Sequence, residues 1–241
     1  MSDRIYKSDD SELHKKHRQR VKAKFRKTGF ESFSDVEILE MALFFAKPQG
    51  DTNPLAHHLI NRFGSLSAVF DASYSQLTEV TGIGENAATL LTSIVALCRA
   101  YRLDKIMDDN LFESEEKIGR YLMAYFMGEH TEKTVILCFD RRRRLLGCEK
   151  VFAEGMDNMS SAKIRRVAEL ALTHKAAAVV MAHNHPSGIV EPSEFDMAST
   201  NGLKASLSGV GIHLIEHYII TNENYLGIIR YMEDFGYSTN L

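Results

Sequence analysis

Three cysteines in 241 residues, Cys98, Cys138 and Cys148, are too few and too widely spaced to staple a fold. Their odd number and largely apolar surroundings imply reduced thiols, as in a cytoplasmic protein, and no Cys-x-x-Cys pair offers a thiolate zinc site. No apolar run approaches the length of a membrane span, and the opening residues do not read as a secretion signal. A cytoplasmic location with no membrane partner is therefore expected. An excess of positive charge is missing too. A formal net charge of −3 excludes a generally basic nucleic-acid coat and confines any phosphate contact to a local patch. Internal repeats and low-complexity tracts are absent. What remains is an ordinary globular composition, long enough for one large domain or two modest ones.

The first half reads as helical. Its first dozen residues are polar and expected to fray. Residues 14–27 then carry lysines, arginines and histidines without one acid; such a run is ordinarily a solvated helix face, and at the edge of a small domain it can also meet phosphates. Ser34 with Glu37 forms a capping box that opens a helix to about Phe45. A polar break at 48–54 is followed by a helix at 55–63 closed by Gly64, then short helical pieces near 68–70 and 75–80. Gly82-Ile83-Gly84 reads as a tight turn into a helix through Leu90 and Leu97. Glycines there permit positive φ and let backbone amides approach an anion, while the helix N-terminus adds its dipole. The stretch resembles a helix-hairpin-helix, which grips DNA phosphates without reading bases. Gly82, Ile83 and Gly84 are thus candidate DNA-binding residues of a helical domain at 1–105. An αα-hairpin used for protein contacts is the alternative, and Glu85 stands where a phosphate-binding hairpin often carries lysine or a small residue.

Periodicity lapses at 102–110, the expected connection to a second domain at 111–241. Ser114 is a natural N-cap for a helix at 115–126, with Ile118, Tyr121, Leu122 and Tyr125 on one face. Strands follow at 134–139 and 145–152, joined by a charged turn whose four arginines, Arg141 to Arg144, read most simply as a solvated loop. An amphipathic helix at 162–175 leads to an apolar strand at 176–182. Beyond a helix entered near Ser193 come a strand at 211–220, a turn at Asn222 and a last strand at 225–229; the tail from Tyr231 is unassigned. Strands interleaved with helices in this order imply an α/β (α+β) domain with a central mixed sheet.

Chemistry concentrates in 179–196. His183 and His185, at i and i+2, leave the end of a strand on the same side. Ten histidines in 241 residues produce about 0.4 such pairs by chance, so the pair alone says little. Ser193 and Asp196 likewise fit a plain capping box. If the helix beginning there turns back over the strand end, Asp196 joins the two histidines. Three protein ligands with one position left open are the arrangement of a catalytic zinc site.

The joint pattern, His-x-His, seven residues, then Ser-x-x-Asp, resembles the JAMM (MPN-plus) metalloprotease motif, and His-Asn-His-Pro-Ser-Gly is the form it takes in the bacterial RadC family. The resemblance covers nearly the whole chain. It implies that His183, His185 and Asp196 bind one zinc ion per chain, that Ser193 sits beside the metal-bound water and can donate to a developing oxyanion, and that Glu132 is the catalytic base. Glu129 would serve the base chemistry as well on the residues alone. Gly155 keeps the family's loop, Met156 replaces its usual threonine, Arg165 fits a family position, and Glu216-His217 replaces Asp-His, leaving His217 free to orient a ligand. The implied activity is hydrolysis of a peptide or isopeptide bond in a protein or peptide substrate. The alternative is a DNA-associated repair or recombination factor whose metal domain is not a protease. An HNH nuclease is excluded because its residues spread over a longer segment, and a base deaminase because its His-x-Glu and Pro-Cys-x-x-Cys signature is absent. Oligomeric state is not legible.

Overall fold

A computed structural model describes residues 2–106, 114–151 and 161–237, with side chains from 14 onward and those of 161 and 162 omitted. The chain divides into two compact units, Met1–Cys98 and Arg99–Leu241.

In the first unit, α1 spans Ser2–Thr28. The opening residues, expected to fray, continue this helix, since neither glycine nor proline interrupts them. Gly29 stops it at φ +60, its amide donating to Phe25 O. Helix α2, Asp35–Ala46, begins with both bonds of the Ser34–Glu37 capping box. Helix α3, Asn53–Phe63, ends on left-handed Gly64. Short α4, Leu66–Asp71, and α5, Tyr74–Thr78, are capped by Ser65 and Ser73. Helix α6 runs Glu85–Ile106. Leu39, Leu43, Leu59, Val69, Leu77, Ile83 and Leu91 form one buried cluster, so the unit is held by the apolar faces of short helices.

Residues 102–106, expected to be a connection, instead extend α6. Residues 99–106 of α6 belong to the second unit, where Leu103 and Ile106, three apart on one helix face, pack with its core. Residues 107–110 lie outside the described residues, as do Gly155 and Met156.

The second unit is a mixed α+β fold. Helix α7 (Glu115–Tyr125) starts at Ser114, whose side chain accepts from Lys117 N. Strands β1 (Thr134–Phe139) and β2 (Leu145–Lys150) form the expected hairpin, and α8 (Ser161–Thr173) leads into β3 (Ala178–Asn184). Helix α9 (Glu194–Ser208) precedes β4 (His213–Ile220), β5 (Tyr225–Gly227) and α10 (Ile228–Asp234). The sheet order is β2-β1-β3-β4-β5, with β3 and β4 parallel and the other neighbours antiparallel.

Strand β3 is buried on both faces, hence its unbroken apolar run. Val179 and Met181 join Val167, Ala171, Leu203 and Leu207 on the side of α8 and α9. Val180 and Ala182 face Ile118 and Leu122 of α7. The last strand is shorter than expected, because Ile228 starts a helix. Its first-turn amides find an acceptor: buried Glu216 takes hydrogen bonds from Ile229 N (2.8 Å) and Arg230 N (3.2 Å). Ile228, Ile229 and Met232 then bury against the sheet. No described helix is long and apolar enough to cross a membrane.

Candidate metal centre

Strand β3 delivers two histidines at its C-terminal end. His183 lies on the same face as Met181 and is 3% exposed. His185 leaves just beyond the strand, its amide still bonded to Ile220 O (2.8 Å), before the chain turns through Gly188 at φ +82. Helix α9 supplies Asp196 from its first turn. The Ser193 hydroxyl and amide both donate to Asp196 Oδ2 (2.6 and 2.9 Å), and Asp196 N donates back to Ser193 Oγ (3.1 Å). This capping box leaves Oδ1 facing His183 Nε2 at 3.4 Å. One ligand atom from each of His183, His185 and Asp196 lies within 4.8 Å of the others.

A proton count fixes what these atoms offer. Thr200 Oγ donates to Asp196 O (2.7 Å), so it must accept from His217 Nδ1 (2.6 Å). Neutral His217 then carries no hydrogen on Nε2, which accepts from His183 Nδ1 (2.8 Å). His185 Nδ1 donates to Ile189 O (2.8 Å). Both Nε2 atoms are left with bare lone pairs, 3.0 Å apart. Burial, opposed by Asp196 and assisted by His185, holds the His183 imidazole down to about 4, and complete burial puts His217 far below its ordinary value. At neutral pH no proton on His183 screens that approach. Two lone pairs and a carboxylate oxygen converging without a hydrogen between them can hold a divalent cation.

A family model described as a RadC-like JAB domain matches residues 112–231, a span that contains the whole sheet and all three candidate ligands. A UPF0758 protein of Fusobacterium nucleatum is 32% identical over 221 residues, covering 89% of this chain and 95% of the relative. Similar proteins of Paraburkholderia xenovorans (33% identical over 202 residues, 84% and 79% covered) and Pseudoalteromonas translucida (34% over 205 residues, 85% and 91%) carry the same designation. The chain belongs to the RadC family.

Within this RadC protein the two carboxylates considered as base sit differently. Thr134 pairs with His183, and Asn184 N bonds Lys133 O (3.2 Å) while its Oδ1 accepts from Lys133 N (2.7 Å). Pairing thus reaches Lys133, one residue past β1 and next to Glu132. Glu132 is exposed and makes no hydrogen bond or ion pair among the described residues. Glu129 bonds Arg99 Nη1 (3.0 Å) and Lys133 Nζ. Burial pushes its carboxyl up, but these bonds outweigh it and leave the group below the usual range. A carboxylate held that way is a poor proton acceptor.

The Ser193 hydroxyl donates to Asp196 and accepts from Asp196 N, so in this structure it orients that carboxylate. Arg165 is exposed and paired with Glu169 at 3.0 Å. His217 takes the ligand-orienting place read from sequence, and Thr200, missed there, completes the chain. The signal for Thr200 was its spacing, four residues after Asp196 on one helix face.

In the helical unit Gly82 adopts φ +95, and Lys47 Nζ donates to its carbonyl at 3.0 Å. Ile83 is 6% exposed and belongs to the core, so its side chain anchors the turn and is not available to a phosphate. The basic run is partly consumed by α2 and the loop after it: His17 bonds Glu40 (3.0 Å), Lys24 pairs with Glu37 (2.8 Å) and Arg18 reaches Gly50 O (2.7 Å).

Thr200→Val should keep the packing but leave His217 Nδ1–H without an acceptor. Zinc affinity, measured by chelator competition, should fall about 10- to 100-fold, and Thr200→Ser should restore it. Equal affinity in the valine variant would show that the chain from Thr200 to His183 does not orient the ligand.

Proposed function

We propose that this protein is a zinc-dependent hydrolase of JAMM type, cleaving a peptide or isopeptide bond of a protein or peptide substrate. The observation that carries this reading is the convergence of the His183 and His185 lone pairs with Asp196 Oδ1 at a strand end. Zinc held there would supply Lewis acidity, polarising the scissile carbonyl and lowering the pKa of water. The chain's own residues do the rest. Glu132, exposed and without an ion pair among the described residues, takes the proton of the attacking water and hands it to the leaving nitrogen as the C–N bond breaks and a C–O bond forms. Ser193 keeps Asp196 Oδ1 aimed inward, while His217 and Thr200 hold His183 in its Nδ1–H tautomer. The test is cleavage of isopeptide- and peptide-linked fluorogenic substrates by zinc-loaded protein. Hydrolysis abolished by chelator and restored by zinc is expected; cleavage unaffected by metal removal would refute the reading.

A second reading is supported by the turn at Gly82 and Gly84, where a side chain added at Gly84 would meet nothing within 4 Å. Amides there can approach a DNA phosphate. Duplex binding should be sequence-blind, fall steeply with salt and weaken when Gly84 is replaced by a bulkier residue. Undetectable binding at low salt would leave the turn as a hairpin for protein contacts.

A further inference from the structure

At the end of the sheet away from the histidines, the turn at 140–144 carries four consecutive arginines. Arg144 is neutralised: its Nε and Nη2 lie 2.8 and 2.7 Å from Asp140 Oδ2. Asp140 Oδ1 is spent on the amides of Arg142 and Arg144 (2.8 and 2.9 Å). Arg141 and Arg142 are exposed, and their side chains have no counter-charge or hydrogen bond among the described residues. Lys175, from the connection between α8 and β3, is in the same position. It also holds a left-handed backbone, φ +53, which glycine or asparagine adopts at less cost.

These cations line one cleft of about 400 Å³ with Arg144, Ala176, Ala177, Gly211 and Asp140, whose carboxylate is already held by Arg144 and two backbone amides. Its floor is fixed, because Ala177 N donates to Phe139 O (2.8 Å) and Ala177 O accepts from His213 N (3.0 Å). Three positive groups without a partner among the described residues surround this concavity, in a chain of net charge −3, and an anion between them would be attracted by all three. Guanidinium forks and an ammonium suit phosphate oxygens. The groups converge from two connections on one hollow instead of forming a stripe, which favours a compact polyanion over an extended strand of nucleic acid.

We propose that this cleft binds a compact phosphate-type polyanion, such as pyrophosphate or the phosphate tail of a nucleotide. The distance along β3 from Ala177 to His185 is roughly 26 Å at about 3.3 Å per residue, so the site is separate from the candidate metal centre and does not depend on the hydrolase reading.

Calorimetric titration of the full chain with pyrophosphate and with ATP, both free of divalent metal, tests it. Binding that weakens with salt is expected, with affinity reduced at least about tenfold in Arg141→Gln/Arg142→Gln and in Lys175→Gln. Arg120→Gln on α7, outside the cleft, should bind as the parent does. All these side chains are exposed, and Arg142→Gln alone serves if the double variant melts early. ATP binding as tightly as pyrophosphate assigns recognition to the phosphates; tighter binding adds the nucleoside. No binding at low salt, or equal binding by the variants, overturns the proposal. So does a single-stranded oligonucleotide that binds far more tightly than ATP through the same residues, which would make the surface a nucleic-acid groove.

Discussion

Glu132→Gln is expected to leave zinc in place and to lower hydrolysis by a hundredfold or more, the scale on which a positioned acid-base group acts. Glutamine keeps the size and hydrogen-bonding reach of the side chain but cannot accept the proton of water or pass it to a leaving nitrogen. Glu132 is exposed and engaged by no other side chain among the described residues, so the substitution should cost little stability, within about 0.5 kcal/mol. Steady-state rates and zinc content on the same preparation decide the outcome. Loss of metal would make Glu132 a ligand, and unchanged hydrolysis would move the base elsewhere. The corresponding change at Glu129 should behave otherwise. It breaks the bonds to Arg99 and Lys133 and should act through local stability, visible in the melting temperature, more than through proton transfer.

Removing any one ligand is expected to weaken zinc binding by more than about a hundredfold, beyond the range for a residue that merely orients a ligand. His183→Ala, His185→Ala and Asp196→Asn are the informative set. Asparagine at 196 retains an acceptor for the Ser193 amide, so the helix start survives while the charged donor is lost. Because a metal that binds only the folded chain adds stability in proportion to its affinity, zinc should raise the melting temperature of the parent and not that of these variants. Acid should act in the same direction, since protons compete for the imidazole lone pairs. For the metal-free chain the sign follows from His183, whose folded value of about 4 lies below the ordinary value near 6.5. The unfolded chain takes up the proton first, so this contribution is fully present above about pH 6.5 and is lost as the pH falls toward 4. Thermal melts across that interval, with and without zinc, measure both effects. A melting temperature insensitive to zinc in the parent would argue that the donor set is not occupied.

The elements legible in the sequence were those whose signals are local. Ser34, Ser114 and Ser193 each mark a helix start because the side chain meets an amide three residues on. The apolar run at 176–182 announced a strand, and His183, His185 and Asp196 stood out by spacing. What escaped depended on partners distant in sequence. Helix α10 begins where it does because Glu216 of β4 accepts from its first-turn amides. Thr200 looks like an ordinary helical threonine until β4 sets His217 beside it, through the register that pairs Met181 with His217. Ile83 was read with its flanking glycines as part of a phosphate-contacting turn, yet an apolar residue there turns inward to complete the helical core.

The most direct measurement is the metal content of protein purified without chelator, by elemental mass spectrometry, for the parent chain beside His183→Ala. About one zinc per chain in the parent and next to none in the variant is the expected result. A parent without bound metal even after incubation with zinc, or a variant that retains as much as the parent, would contradict a zinc centre built on His183, His185 and Asp196.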